Sequence, residues 1–151
     1  MKELLISYII ASLIILAIPE FFVYNTTASL PQGLYIRAFS AEIRQGQIVR
    51  FKLKQTYHYS WLTTSCLLKE AAGVAGDHVS VSEKGYYIND RYLGSVLQTD
   101  TQGNPLPVYR FEGSVPAGYI LVAGHGNSFD SRYFGPVAIS GVQVFRQLFT
   151  R

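Results

Sequence analysis

Ser29 lies in NTTASLPQGLY, residues 25–35, a few residues beyond the last apolar residue of a strongly hydrophobic N-terminus. A serine hydroxyl is a weak nucleophile until a base takes its proton. Lys69 is a candidate base, standing alone in SCLLKEAAGVAGD between Cys66, Leu67 and Leu68 on one side and Ala71, Ala72 and Val74 on the other. Buried there, its ammonium would be disfavoured by desolvation, and a fall of about two to three units from roughly 10.4 would make it a competent base at neutral to alkaline pH. A strand lysine facing solvent is the plainer reading of that segment alone. A second cluster, HGNSFDSRYFGPV, residues 125–137, places Ser128, Asp130, Ser131 and Arg132 between Gly and Pro punctuation and reads as a loop. Asp130 and Arg132, two apart, would not face each other on a helix, whereas a tight loop lets them pair or hold other groups by charge-assisted hydrogen bonds. His125 invites a Ser-His-Asp triad with Ser29 and Asp130, but an activating base needs spatial reach that spacing does not supply, and we set the triad aside.

These groups need elements to hold them. From Leu4 to Ile18 every residue is apolar or small except Ser7, Tyr8 and Ser12. Those residues would make a helix of about 22 Å, and continuing through Tyr24 would bring it to about 31 Å, enough for a hydrocarbon core of roughly 30 Å. Phe21, Phe22 and Tyr24 suit an interfacial aromatic belt, with Glu20 reaching towards water. A cleaved signal peptide ending at Thr26-Thr27-Ala28 is the competing reading; against it, Lys2 is offset by Glu3 and the apolar stretch is long for a signal sequence. We expect a retained anchor over residues 1–24 and a β-rich domain over 25–151.

After Tyr24 short alternating runs are punctuated by Gly, Pro, Asn and Asp, the pattern of small antiparallel strands. Strands are expected within GQIVRFKLK, residues 46–54, and over 66–74, 78–82, 86–88, 91–93, 119–123 and 137–145, with turns at Lys84-Gly85 and Asn89-Asp90. Arg50, Lys52 and Lys54 recur at a period of two and would share one strand face, resting on anionic lipid or simply solvated. TDTQGNPLP, residues 99–107, reads as a surface loop.

At 151 residues the chain suits one compact domain, and thirteen Lys plus Arg against ten Asp plus Glu, scattered along it, make no nucleic-acid footprint. Cys66 is the sole cysteine, so no internal disulfide forms, and the usual zinc spacings are absent.

Taken in order, these stretches resemble the type I signal peptidase family, and most closely its conjugative-transfer (TraF-type) branch, over nearly the whole chain. The resemblance is carried by SLPQGLY after the apolar helix, GQIVRF at 46–51, KEAAGVAGD at 69–77, and VPAGYILVAG leading into NSFDSRYFGPV, the most specific string. It implies a mainly β fold, an N-terminal transmembrane helix followed by a compact antiparallel β domain of the signal-peptidase type. It implies Ser29 as nucleophile, Lys69 as general base, Ser128 as the serine that orients the lysine, and Asp130 with Arg132 as the supporting pair. The backbone N–H of Ser29 would serve the oxyanion hole and Thr27 would supply a helping hydroxyl. No cofactor and no metal are called for. Three positions depart from the family pattern: Glu70 after the lysine, Ala75-Gly76-Asp77 for Pro-Gly-Asp, and Gly124-His125 for Gly-Asp.

The implied reaction is cleavage of a membrane-inserted precursor, a prepilin in the conjugative branch, by an enzyme of the bacterial inner membrane whose catalytic domain lies on the periplasmic side. An acyl-enzyme ester yields to water or to an N-terminal amine, so hydrolysis and cyclisation both stand open. A housekeeping signal peptidase is the rival within the class, disfavoured by Gly33-Leu34-Tyr35 and the short chain. A non-enzymatic pilin-like or scaffold subunit is the rival outside it, weakened because Glu3 precedes and Glu20 follows the apolar stretch.

Overall fold

A computed structural model describes residues 2–40, 42–53, 66–100 and 102–150. Helix α1, Lys2–Phe21, buries none of its side chains. Its twenty residues rise about 30 Å, so it is long and apolar enough to cross a bilayer. It ends before the apolar run does. Phe22–Asn25 form strand β1, which pairs antiparallel with β2, Gly33–Ala38, in the register Phe22↔Ile36 to Asn25↔Gly33. The expected continuation of the helix to Tyr24 is therefore corrected: aromatic and β-branched residues also suit strands, and the ladder offered by β2 decides.

The larger sheet has the order β1-β2-β11-β3-β4-β9-β10, where β3 is Ile48–Lys52, β4 Cys66–Gly73, β9 Tyr119–Ala123, β10 Val137–Ala138 and β11 Gln143–Thr150. The smaller sheet runs β7-β6-β5-β8, with β5 His78–Ser82, β6 Gly85–Ile88, β7 Arg91–Gly94 and β8 Gly113–Ser114. Successive side chains on a strand point to opposite faces. In β4 and β9 this sends Ala71, Ile120 and Val122 into one apolar cluster with Val49, Phe51 and Phe134, and Ala72, Leu121 and Ala123 into another with Val79, Tyr86 and Ile88. These two neighbouring strands are thus buried on both faces, and burying each Val or Ile stabilises the fold by roughly 1.5–3 kcal/mol. Of the charged residues on β4, Lys69 is buried while Glu70, on the other face, is half-exposed.

Three expectations shift in detail. The turn after β5 falls at Glu83-Lys84, because Ser82 pairs with Gly85 and the glycine opens β6. The run 137–145 breaks into β10, which pairs with β9, and β11, which pairs with β3, around a turn closed by Val142 N–H donating to Ile139 O at 3.0 Å. Ser131–Phe134 form a single helical turn, α2, where a loop was expected. Asn89 and Asp90 both have positive φ, as a two-residue hairpin turn requires.

Helix α1 is tied to the larger sheet. Arg50 Nη1 donates at 2.7 Å to Pro19 O, one of the carbonyls that a helix end leaves open, and Gln143 Nε2 donates to Glu20 Oε2 at 3.3 Å. The Phe21 and Phe39 rings lie 6.5 Å apart. Arg50 and Lys52 share the face opposite Val49 and Phe51, as the period of two predicts, but Arg50 serves the helix end; Lys54 lies outside the described residues.

Gly33 opens β2 at φ +146°, and a Cβ there would run into the carbonyl oxygen of Phe149 in β11. Backbone cannot yield as a side chain tip can. Gly33→Ala should therefore lose at least about 2 kcal/mol of stability, read as a lower melting temperature in detergent micelles.

Candidate active site

Lys69 enters the site from the middle of the larger sheet. On β4 it stands opposite Val49 of β3 and two residues before Ala71, so it shares their face. On the other side, Glu70 pairs with Ala123 and Ala71 with Val122, and one further step of that register sets Lys69 across from Gly124. The lysine is 6% exposed. Desolvation lowers its pKa from 10.5 to about 8, while the charge of Asp130 pulls it upward and that of Arg132 pushes it down. Its ammonium donates to Ser128 Oγ at 2.7 Å.

Gly124 explains why hydroxyls can reach this place. A Cβ at Gly124 would fall 2.9 Å from Ser29 Cβ and 2.9 Å from Ser128 Cβ, and closer still to Ser128 Oγ. The volume that a side chain would occupy beside Lys69 is filled by the two serines. The backbone holds Ser29 as well, since His125 N–H donates to Ser29 O at 2.8 Å.

Ser29 sits in the turn between β1 and β2. Carbonyls of that turn are tied down in series: Gln32 Nε2 donates to Thr26 O at 2.8 Å, Asn25 Nδ2 to Thr27 O and Leu30 O at 3.0 Å each, and Tyr35 Oη to Pro31 O at 2.7 Å. Among the described residues the Ser29 N–H has no acceptor. The Ser29 hydroxyl lies 3.0 Å from Thr27 Oγ1. In this state Ser29 Oγ and Lys69 Nζ make separate hydrogen bonds, one to Thr27 and one to Ser128.

The loop that carries Ser128 is held by a buried ion pair. Asp130 is fully buried and Arg132 is 3% exposed. Asp130 Oδ1 accepts from Arg132 Nε and Oδ2 from Arg132 Nη2, both at 2.8 Å, a two-pronged geometry that makes the pair strong and directional. The same carboxylate accepts from Gly124 N–H at 3.1 Å and caps α2 through Arg132 N–H at 3.2 Å. Arg132 in turn donates to Ser128 O at 3.2 Å, Gly126 O at 3.3 Å and Ser95 O at 2.7 Å. Residues two apart meet here because Asp130 lies outside the helical turn and its side chain curls back over it.

The structure thus gathers Ser29, Lys69, Ser128, Asp130 and Arg132, with Thr27 beside Ser29. It does not gather His125 in the same sense: its backbone reaches Ser29, its side chain is exposed, and the buried Asp130 is taken up by Arg132. Two participants escaped the reading of the sequence. Gly124 was named only as part of the Gly124-His125 position, and its spatial role gave no local sign, because its importance lies in what faces it. Asn25 followed two residues later by Thr27 is a side-chain turn signal that an apolar run up to Tyr24 concealed. No group of three or more His, Cys, Asp or Glu among the described residues is placed to hold a metal ion.

A β domain tethered by an apolar helix, with a serine set beside a buried lysine, is the form of a signal peptidase. The chain belongs to the family described as signal peptidase, peptidase S26, a serine peptidase family whose model matches residues 1–146. Two curated relatives, each called plasmid transfer protein TraF and each from Escherichia coli, are 29% and 28% identical to it over 145 residues, covering 83% of this chain and 81% of the relative. No solved structure matches the chain.

Gly124→Ala would insert a methyl group into the space the serines fill. We expect a loss of about 1–3 kcal/mol from overpacking, seen in thermal melting, and displacement of Ser128 from Lys69.

Proposed function

We propose that this peptidase is a membrane-anchored Ser-Lys endopeptidase, with Ser29 as nucleophile and Lys69 as general base. The observation that carries the proposal is the convergence at Gly124, where Ser29 and Ser128 occupy the space beside a lysine with a pKa of about 8. A neutral amine takes the proton of Ser29 as Oγ attacks the carbonyl carbon of the scissile peptide. The Ser29 N–H, which has no acceptor among the described residues, donates to the oxyanion that develops. The C–N bond then breaks, Lys69 passes its proton to the leaving amine, and an ester on Ser29 remains. Water, deprotonated by Lys69, hydrolyses that ester; an N-terminal amine in its place would form a new amide and close a cyclic peptide.

Ser128 keeps the amine aimed at Ser29 through the 2.7 Å hydrogen bond, and Asp130 with Arg132 keeps Ser128 in place. The anchor is α1, and the peptidase domain follows from Phe22 on the periplasmic side of the inner membrane. Because Ser29 lies only eight residues past the end of α1, its substrates are peptide bonds presented near the bilayer surface. With relatives named for plasmid transfer, the substrate we favour is a conjugative prepilin with small residues at its cleavage site.

In full-length protein, Ser29→Ala and Lys69→Ala should each reduce cleavage of a membrane-inserted precursor by at least about 1,000-fold. A base must be unprotonated, so the wild-type rate should climb with pH and reach half its plateau near 8. Processing at the wild-type rate by either variant, or a profile flat from acid to alkaline pH, would refute the dyad.

A further inference from the structure

We infer that Asn25 is the positioning residue of the nucleophile, fixing through Thr27 where the Ser29 proton rests. The inference depends on the reading of Ser29 as nucleophile and adds to it a residue outside the Ser-Lys pair.

Asn25 closes β1 and is 7% exposed. A primary amide buried to that degree needs partners, and this one has them on both sides. Its nitrogen faces three carbonyls, Thr27 O and Leu30 O at 3.0 Å and Pro31 O at 3.2 Å. Its oxygen faces two donors, Thr27 N–H at 3.2 Å and Thr27 Oγ1 at 2.8 Å. A flipped amide would set an acceptor against three acceptors and a donor against the Thr27 N–H, so one orientation is fixed.

The direction of every proton in the chain follows. The amide oxygen only accepts, so Thr27 donates its single hydroxyl proton to Asn25 Oδ1. Thr27 Oγ1 has nothing left to donate, and the 3.0 Å contact with Ser29 Oγ must run from Ser29 to Thr27. The series is one-way: Ser29 to Thr27 to Asn25. It keeps the Ser29 proton on the Thr27 side of the oxygen and leaves the oxygen's lone pairs free of Thr27. Attack requires that hydroxyl to turn from Thr27 towards Lys69. Asn25 acts on both parts of this step, holding the carbonyls on either side of Ser29 and setting the polarity of the hydroxyl that accepts the Ser29 hydrogen bond.

The test uses full-length protein in detergent micelles and a synthetic peptide with alanines flanking the scissile bond. Asn25→Ala should lower kcat at least tenfold with KM within about twofold of wild type. Thr27→Val should do likewise, while Thr27→Ser, which keeps the hydroxyl, should stay within threefold. Because both residues act in one series, the Asn25→Ala/Thr27→Val double variant should fall no more than about twofold below Asn25→Ala. If Asn25→Ala does not fold, the wild-type protein labelled with 15N-asparagine still decides. The Asn25 side-chain N–H signals should exchange slowly with water, shift in Thr27→Val and stay in place in Thr27→Ser. An unchanged kcat in Asn25→Ala, losses that multiply in the double variant, or side-chain protons that exchange freely would overturn the inference. Ser29→Ala separates the two levels: residual cleavage at the wild-type rate removes the nucleophile itself, whereas an inactive Ser29→Ala beside a fully active Asn25→Ala leaves the nucleophile standing and removes only the role of Asn25.

Discussion

An ammonium ion is hard to keep inside a β-sheet. At Lys69 the neighbours on one face are Val49 and Ala71, both wholly buried, and the space across the strand pair is held open by a glycine. Water is excluded and the charged form loses solvation, which brings the pKa down to about 8. The burial comes on the face that Lys69 shares with Val49 and Ala71, which belong to the apolar cluster that also holds Ile120 and Val122. On the opposite face and further along β4, Ala72 packs with Val79, Tyr86 and Ile88 of the second sheet.

A lowered pKa would accomplish nothing without partners held at fixed distances. The Asp130–Arg132 pair provides that order, and its two charges have opposite effects on the lysine, so the loop is braced while the field on Lys69 stays partly balanced. A buried ion pair is weak evidence of stability in itself, because desolvation offsets much of its attraction. Its value here is geometric, since one carboxylate and one guanidinium fix Gly124 N–H and the carbonyls of Gly126 and Ser128 together. At the other end, Arg50 grips the last turn of α1 and so couples the height of the sheet to that of the helix.

Much of this was legible in the residues, and the failures have physical causes. Alternation located β5, β6, β7 and β9, and Asn89-Asp90 announced its turn, because local pattern and tertiary demand agree there. The helix end was misplaced since Phe22, Val23 and Tyr24 satisfy helix and strand equally, and the choice is made by pairing with β2. The break at 139–142 was missed because β10 and β11 are both apolar, and only their different partners separate them. At the site, NSFDSRYF and SLPQGLY carried the residue identities. The burial of Lys69 did not follow from its own segment, because Val49, Gly124 and the serines come from distant parts of the chain.

The account turns on a lysine that is neutral in a large share of molecules at mildly alkaline pH. The most direct measurement is an NMR titration of the Lys69 side chain in full-length protein labelled with 13C at the lysine ε-carbons, assigned by the signal missing from Lys69→Met. A midpoint near 8 is predicted. A midpoint at the ordinary value of about 10.4 would contradict it, because the amine would then be as protonated as any surface lysine and unable to take a proton from Ser29.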